Sequence, residues 1–83
     1  MTPRVPGYPS MKARRLRTLL ERELGYVTVR STGSHRTMRA PGWPQLVFAF
    51  HDGDTVGGHL VRNVLVKQVG LSDDEAREVV RGA

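Results

Sequence analysis

Residues 26–50, YVTVRSTGSHRTMRAPGWPQLVFAF, decide the fold. Three short runs rich in β-branched and aromatic residues, Tyr26 to Arg30, His35 to Arg39 and Gln45 to Phe50, are separated by two groups of turn formers. Ser31-Thr32-Gly33-Ser34 is the first turn and Ala40-Pro41-Gly42-Trp43-Pro44 the second. Connections this short predict a three-stranded antiparallel meander. Alternation along the second run sets His35, Thr37 and Arg39 on one side and Arg36 and Met38 on the other. The third run is the most hydrophobic and is expected at the centre of the sheet.

Working outward, the preceding segment carries Ala13, Leu16, Leu19, Leu20 and Leu24 within one arc of about 140°, at 100° per residue. Arg14, Arg15, Arg17, Thr18, Glu21 and Arg22 fill the other face, so an amphipathic helix is expected, with Ser10 as its N-cap and Gly25 as its stop. Its cations crowd the first turns, where the helix dipole disfavours them. After residue 50, His51-Asp52-Gly53-Asp54 and Gly57-Gly58 read as a loop. A second helix is expected over Leu60 to Val69, with Val61, Leu65 and Val69 on one stripe. Ser72 followed by Asp73, Asp74 and Glu75 predicts the start of a short third helix reaching about Arg81. The fold class is α+β, in the order α-β-β-β-α plus a terminal helical turn. Helices cover one sheet face and leave the other to solvent or a ligand. Residues 1–9, with Pro3, Pro6, Gly7 and Pro9, read as an extended tail, and residues 10–83 as a single domain.

The chain has 83 residues, of which 39% are hydrophobic, enough for one modest core. It contains no cysteine, which excludes disulfides, thiolate metal sites and thiol catalysis and fits a cytoplasmic location. No apolar run approaches the roughly 20 residues of a membrane span, and no signal-peptide core is expected at the N-terminus. The net charge is +5, unevenly spread: residues 1–50 hold nine basic and two acidic side chains, residues 51–83 four and six. Eleven of the thirteen basic residues are arginine, whose planar fork suits phosphate oxygens. This asymmetry points to a polyanion or an acidic partner.

Catalytic candidates are few. No HExxH, Walker loop, GxSxG or dinucleotide fingerprint is present. His51, Asp52, Asp54 and His59 match no standard ligand spacing, so neither a metal nor a cofactor is expected. His59 reads as an ordinary helix-start residue. The sharper constellation is Gly25-Tyr26, then Arg30, then Gly33-Ser34-His35 behind a basic helix. In this it resembles the HicA-type toxins, the small mRNA interferases of HicA–HicB toxin–antitoxin pairs. Phe50-His51-Asp52-Gly53 is similar to the family's strand-end His and glycine loop, and Gln68-Val69-Gly70-Leu71-Ser72 to its final helix and turn. The likeness extends from Met11 to about Val80. The chain departs from the family's usual pattern at Arg36, Ala49 and Gly58 to Leu65.

The resemblance implies a double-stranded-RNA-binding-like fold, an mRNA substrate cut with His35 as general acid/base, and neutralisation by a HicB-like antitoxin. No membrane and no DNA contact by this chain alone is implied. The residues allow a physical version. Cleavage without a metal needs the 2′-OH activated for attack on the adjacent phosphorus, and an imidazole can take that proton or give one to the leaving 5′ oxygen. Ser34, His51 and water are open as the second group. Arg30, Arg36 and Arg39 are candidates to counter charge on the phosphorane. Gly33 admits a positive φ and close approach of phosphate to backbone. Lys12, Arg14, Arg15 and Arg17 are candidates to grip the RNA backbone without reading bases. Trp43 is a secondary candidate for stacking a base or docking a partner, against the commoner fate of folding onto its own hairpin. A non-catalytic RNA-binding module of the same fold, or an adaptor for an acidic protein, would share the basic helix and need no His35.

Overall fold

In the computed structural model, which describes residues 7–82, the chain runs β1 (Met11–Lys12), α1 (Ala13–Leu24), β2 (Val27–Thr32), β3 (His35–Ala40), β4 (Trp43–Ala49), β5 (Thr55–Val56), α2 (Gly58–Arg62), a π-helical stretch (Asn63–Gln68) and α3 (Asp73–Arg81). The architecture is the expected α+β one. Strands β2-β3-β4 form an antiparallel sheet in that order, and β1 and β5 pair separately. The central strand is β3, not the most hydrophobic one. β4 is apolar because alternate residues Leu46 and Phe48 enter the core, and its Pro44, which has no N–H to donate, suits an edge.

Register follows from the first turn. β2 extends to Thr32, so only Gly33 and Ser34 lie between the strands, and Thr32 pairs with His35. Gly33 has φ 60°, the positive value that the first central position of a II′ hairpin turn requires. From there the pairing sets two faces. Thr28, Met38 and Leu46 share one face, as do Ser31, Arg36 and Phe48; this face meets the helices. Thr32, His35 and Ala49, then Arg30, Thr37 and Val47, then Val27 and Arg39 make up the other, which no helix covers. Val27 and Val47 on it are 57% and 49% exposed. The core between sheet and helices holds Leu16, Leu19 and Leu20 of α1, Val61, Val64, Leu65 and Val69 of the second helical segment, and Ala76 and Val79 of α3.

Two helix starts differ from expectation. α1 begins at Ala13, and Ser10 is not its cap. The cap position is Lys12, which makes no side-chain cap bond, and the first free N–H groups are met by loop carbonyls instead: Ala13 donates to Asp54 O at 2.9 Å and Arg14 to Asp52 O at 3.3 Å. The second helix starts at Gly58 rather than Leu60 and widens after Arg62, with Val69 N–H donating to Val64 O at 3.0 Å. That five-residue step keeps Val64 and Val69 both in the core. α3 begins where expected, on a capping box: Glu75 N–H donates to Ser72 Oγ (3.1 Å) and Ser72 N–H to Glu75 Oε1 (2.9 Å). These bonds, the backbone one first, hold the Glu75 carboxyl below its usual range.

Of the expected 1–9 tail, residues 1–6 lie outside the described residues, and Tyr8 is packed into the domain. Its ring is 3% exposed, its hydroxyl donates to Asp73 Oδ1 at 2.8 Å, and the Arg77 guanidinium lies 5.9 Å above the ring centroid. Arg77 and Arg62 also pair with Asp73, at 2.8 and 3.6 Å. Burial, then the bond to Asp73, raises the Tyr8 phenol above its ordinary value. The same hydrogen bond, with the two guanidinium charges, lowers the Asp73 carboxyl. Gly58 is required by this packing, since a Cβ there would collide with the backbone carbonyl oxygen of Tyr8.

Candidate functional site

His35 opens β3 immediately after the glycine-serine turn, and the ladder aims it to the uncovered face, where it is exposed. Its row is Thr32–His35–Ala49. The next row, about 7 Å along, holds Arg30 opposite Thr37, so Arg30 is the cation of this face nearest His35. Arg39 is four residues further down β3, about 13 Å away, and its Nε donates to Gln45 Oε1 at 3.0 Å. Arg36 lies on the opposite face, toward α1. Trp43 sits at the far end of the meander, opposite Ala40, half-buried against the core. Ser34 is half-buried in the turn and Gly33 is open, with nothing within 4 Å of where a Cβ would stand.

The end of the sheet that bears His35 also bears the end of β4, the 51–54 loop and the start of α1. The loop is a closed turn: Asp54 N–H donates to His51 O and His51 N–H to Asp54 Oδ2, each at 2.9 Å. Asp52 reaches back to two guanidinium groups, Arg17 at 3.0 Å and Arg36 at 3.6 Å. These two arginines, predicted as substrate contacts, thus share one internal carboxylate. The Nε atoms of both are buried without a partner. Lys12 donates to Gly53 O (3.2 Å) and Thr55 Oγ1 (3.3 Å). The loop therefore answers two of the cations near the start of α1, Lys12 and Arg17. Among the described residues Arg14, Arg15 and Arg30 are exposed and form no ion pair. Arg14 and Arg15 line an open groove of about 690 Å³ with Pro9, Lys12, Thr18 and Val80.

The arrangement is a solvent-facing imidazole on an open sheet face, bordered by Arg30 on that face and by a cationic helix start at the same end. Among the described residues no group of three or more His, Cys, Asp or Glu side chains is placed to share a metal ion. From the sequence Asp52 stands only in a loop, in a set with His51, Asp54 and His59 that matches no ligand spacing. Its role as the anchor of Arg17 and Arg36 was not legible, because residues 17, 36 and 52 meet only through the tertiary fold.

A family model described as the HicA toxin of bacterial toxin–antitoxin systems matches residues 13–71. The chain belongs to the HicA toxin family. No curated protein and no solved structure matches it. The family match is narrower than the span of likeness read from the motifs. It takes in α1, the meander, the 51–54 loop and the second helix. It leaves out Tyr8, β1 and α3. His35, its ladder neighbours and the 51–54 loop therefore lie inside the HicA region, whereas Tyr8, Asp73 and Arg77 lie outside it. No helix among the described residues is long and apolar enough to cross a membrane.

Proposed function

We propose that this HicA toxin is an mRNA endonuclease that uses His35 as general acid/base, requires no metal, and acts in the cytoplasm under the control of a HicB-like antitoxin. The observation that carries the reading is the position of His35. It stands exposed on the helix-free sheet face, at the end where α1 brings its free cations. RNA laid along that end meets Arg14 and Arg15 through its phosphates, with affinity that falls as salt rises. Arg30 is the side chain of the same face suited to offset charge building on the phosphorane oxygens. His35 moves a proton either from the 2′-OH or to the 5′ leaving oxygen, and the chemistry yields a cyclic phosphate and a 5′-hydroxyl. Exposed Val27 and Val47 beside Arg30 and Arg39 give the same face an apolar centre with a cationic border, suited to an antitoxin that covers the catalytic side chain.

The test is expression of the wild type beside His35→Ala, with growth and messenger half-life as readouts. Wild type arrests growth and shortens messenger lifetimes, and His35→Ala restores both while staying folded and binding RNA. Labelled RNA that is bound but uncut by the wild type, with no change on His35→Ala, selects the non-catalytic RNA-binding module instead. Growth arrest by a folded His35→Ala protein removes the catalytic role.

A further inference from the structure

RNA cleavage by 2′-OH attack needs two proton transfers, and the nuclease reading assigns one to His35. We infer that His51 supplies the other; the inference rests on the nuclease reading above. His35 pairs with Ala49 at the last rung of the β3–β4 ladder, and His51 follows two residues later. The alternation of β4 does not stop with the ladder. Phe50 is half-buried against the core, and its ring meets that of Phe48 edge-on at 5.2 Å, so residues 48 and 50 share the inner face. His51 then belongs to the outer face, with Ala49 and His35. Its place is the diagonal neighbour of His35, which sets their Cα atoms about 7–8 Å apart. Two imidazoles at that separation can reach opposite sides of one phosphodiester.

The main chain at His51 is fixed at several points. The turn is closed by the two bonds between His51 and Asp54. Asp52 is held by Arg17 and Arg36, and the carbonyls of Asp52 and Asp54 cap the N–H groups of Arg14 and Ala13. The imidazole itself is exposed and has no hydrogen-bond partner among the described residues. A rigid backbone carrying an unengaged side chain is what positioning for substrate looks like. Ser34, the protein's other candidate, is half-buried in the turn, and an alcohol is a poor proton carrier near neutral pH.

In the step, one imidazole takes the 2′-OH proton as the O2′–P bond forms. The P–O5′ bond breaks, and the departing O5′ takes a proton from the other, protonated imidazole. The products are a 2′,3′-cyclic phosphate and a 5′-hydroxyl, and solvent exchange resets the two rings.

The experiment uses an oligoribonucleotide copied from the main cut site mapped on a bacterial messenger, and its twin with sulfur replacing the bridging O5′. Sulfur leaves without protonation, so it relieves the need for the acid alone. His51→Ala is expected to lower kcat on the oxygen substrate by about 10²-fold or more, with KM within a few-fold. With sulfur, one of the two variants His35→Ala and His51→Ala recovers most of its lost rate and the other does not. His51→Gln serves if the alanine variant fails to fold. Cleavage by His51→Ala within threefold of wild type, alongside an inactive His35→Ala, overturns the inference and leaves the nuclease reading standing. A change in KM alone, or sulfur rescue of both variants or of neither, also overturns it. Full cleavage by His35→Ala removes His35 from the chemistry, and no cleavage by the wild type sinks the nuclease reading itself.

Discussion

Replacing Tyr8 by Ala tests how much of the fold depends on a residue outside the HicA region. The ring is 3% exposed, lies under the Arg77 guanidinium and donates its hydroxyl to Asp73. Truncating a buried aromatic to Ala costs about 3–5 kcal/mol. A chain of 83 residues has a total stability of about 4–12 kcal/mol, so the loss is a large share of the whole. In a domain this size each kcal/mol moves the melting temperature by about 4–8 °C, and the expected drop is about 12 °C or more. Tyr8→Phe keeps the ring and the Arg77 contact and loses only the hydrogen bond, for about 1 kcal/mol. Thermal unfolding followed by circular dichroism, with urea unfolding as the second measure, reads both. A third arm uses Gly58→Ala, whose new Cβ would strike the Tyr8 carbonyl. Once Tyr8→Ala has loosened that segment, adding Gly58→Ala should cost less than it does alone. A Tyr8→Ala protein that melts within 4 °C of wild type, or strict additivity with Gly58→Ala, refutes the packing argument.

The other predictions are briefer. Asp73 has a folded-state pKa below its unfolded one, so its contribution to stability is present above the ordinary carboxylate range and is lost as pH falls through the lowered value. Asp73→Asn should therefore flatten the acid limb of a stability–pH curve, and an unchanged limb would contradict the assignment. Tyr8 has the opposite sign: its contribution is present below the unfolded phenol value and fades as pH rises through the raised one, so Tyr8→Phe should flatten the alkaline limb. Replacing Arg14 and Arg15 with Gln should lower RNA affinity and reduce the slope of log affinity against log salt by roughly 1.4, the value for two lost contacts to a single strand, with little effect on melting. Asp52→Asn releases Arg17 and Arg36 and should lower stability by about 1 kcal/mol, measured by urea unfolding.

How much of this could be read from the sequence depends on the range of the interactions involved. The meander, the side of the sheet that carries His35 and the capping box of α3 are all written in local pattern: period-two alternation, turn formers, and a serine three residues before a glutamate. Local pattern points the start of α1 to Ser10, whereas its N–H groups are met by Asp52 and Asp54, about forty positions away. The two-residue strands β1 and β5 have too few residues for any periodicity and exist only as a pair. The π-helical widening after Arg62 answers to packing, not propensity. Tyr8 sat in a proline-rich run with no period, and its partner Asp73 is 65 residues distant. At the site, the spacing from Gly25 through Arg30 to His35 was legible, and so was the sidedness that separates His35 from Arg36. The sharing of Asp52 by Arg17 and Arg36 was not.

The contact between Tyr8 and α3 ties a residue before the HicA region to a helix after it. Like the two halves of a clasp, neither closes on its own. A variant trimmed behind Leu71 would leave the aromatic ring without its seat, and one begun at Met11 would leave Asp73 facing two arginines without the phenol between them. Segments near opposite ends of the sequence thus stand or fall together, and they tether Gly58 and Arg62 of the intervening region to the same fate.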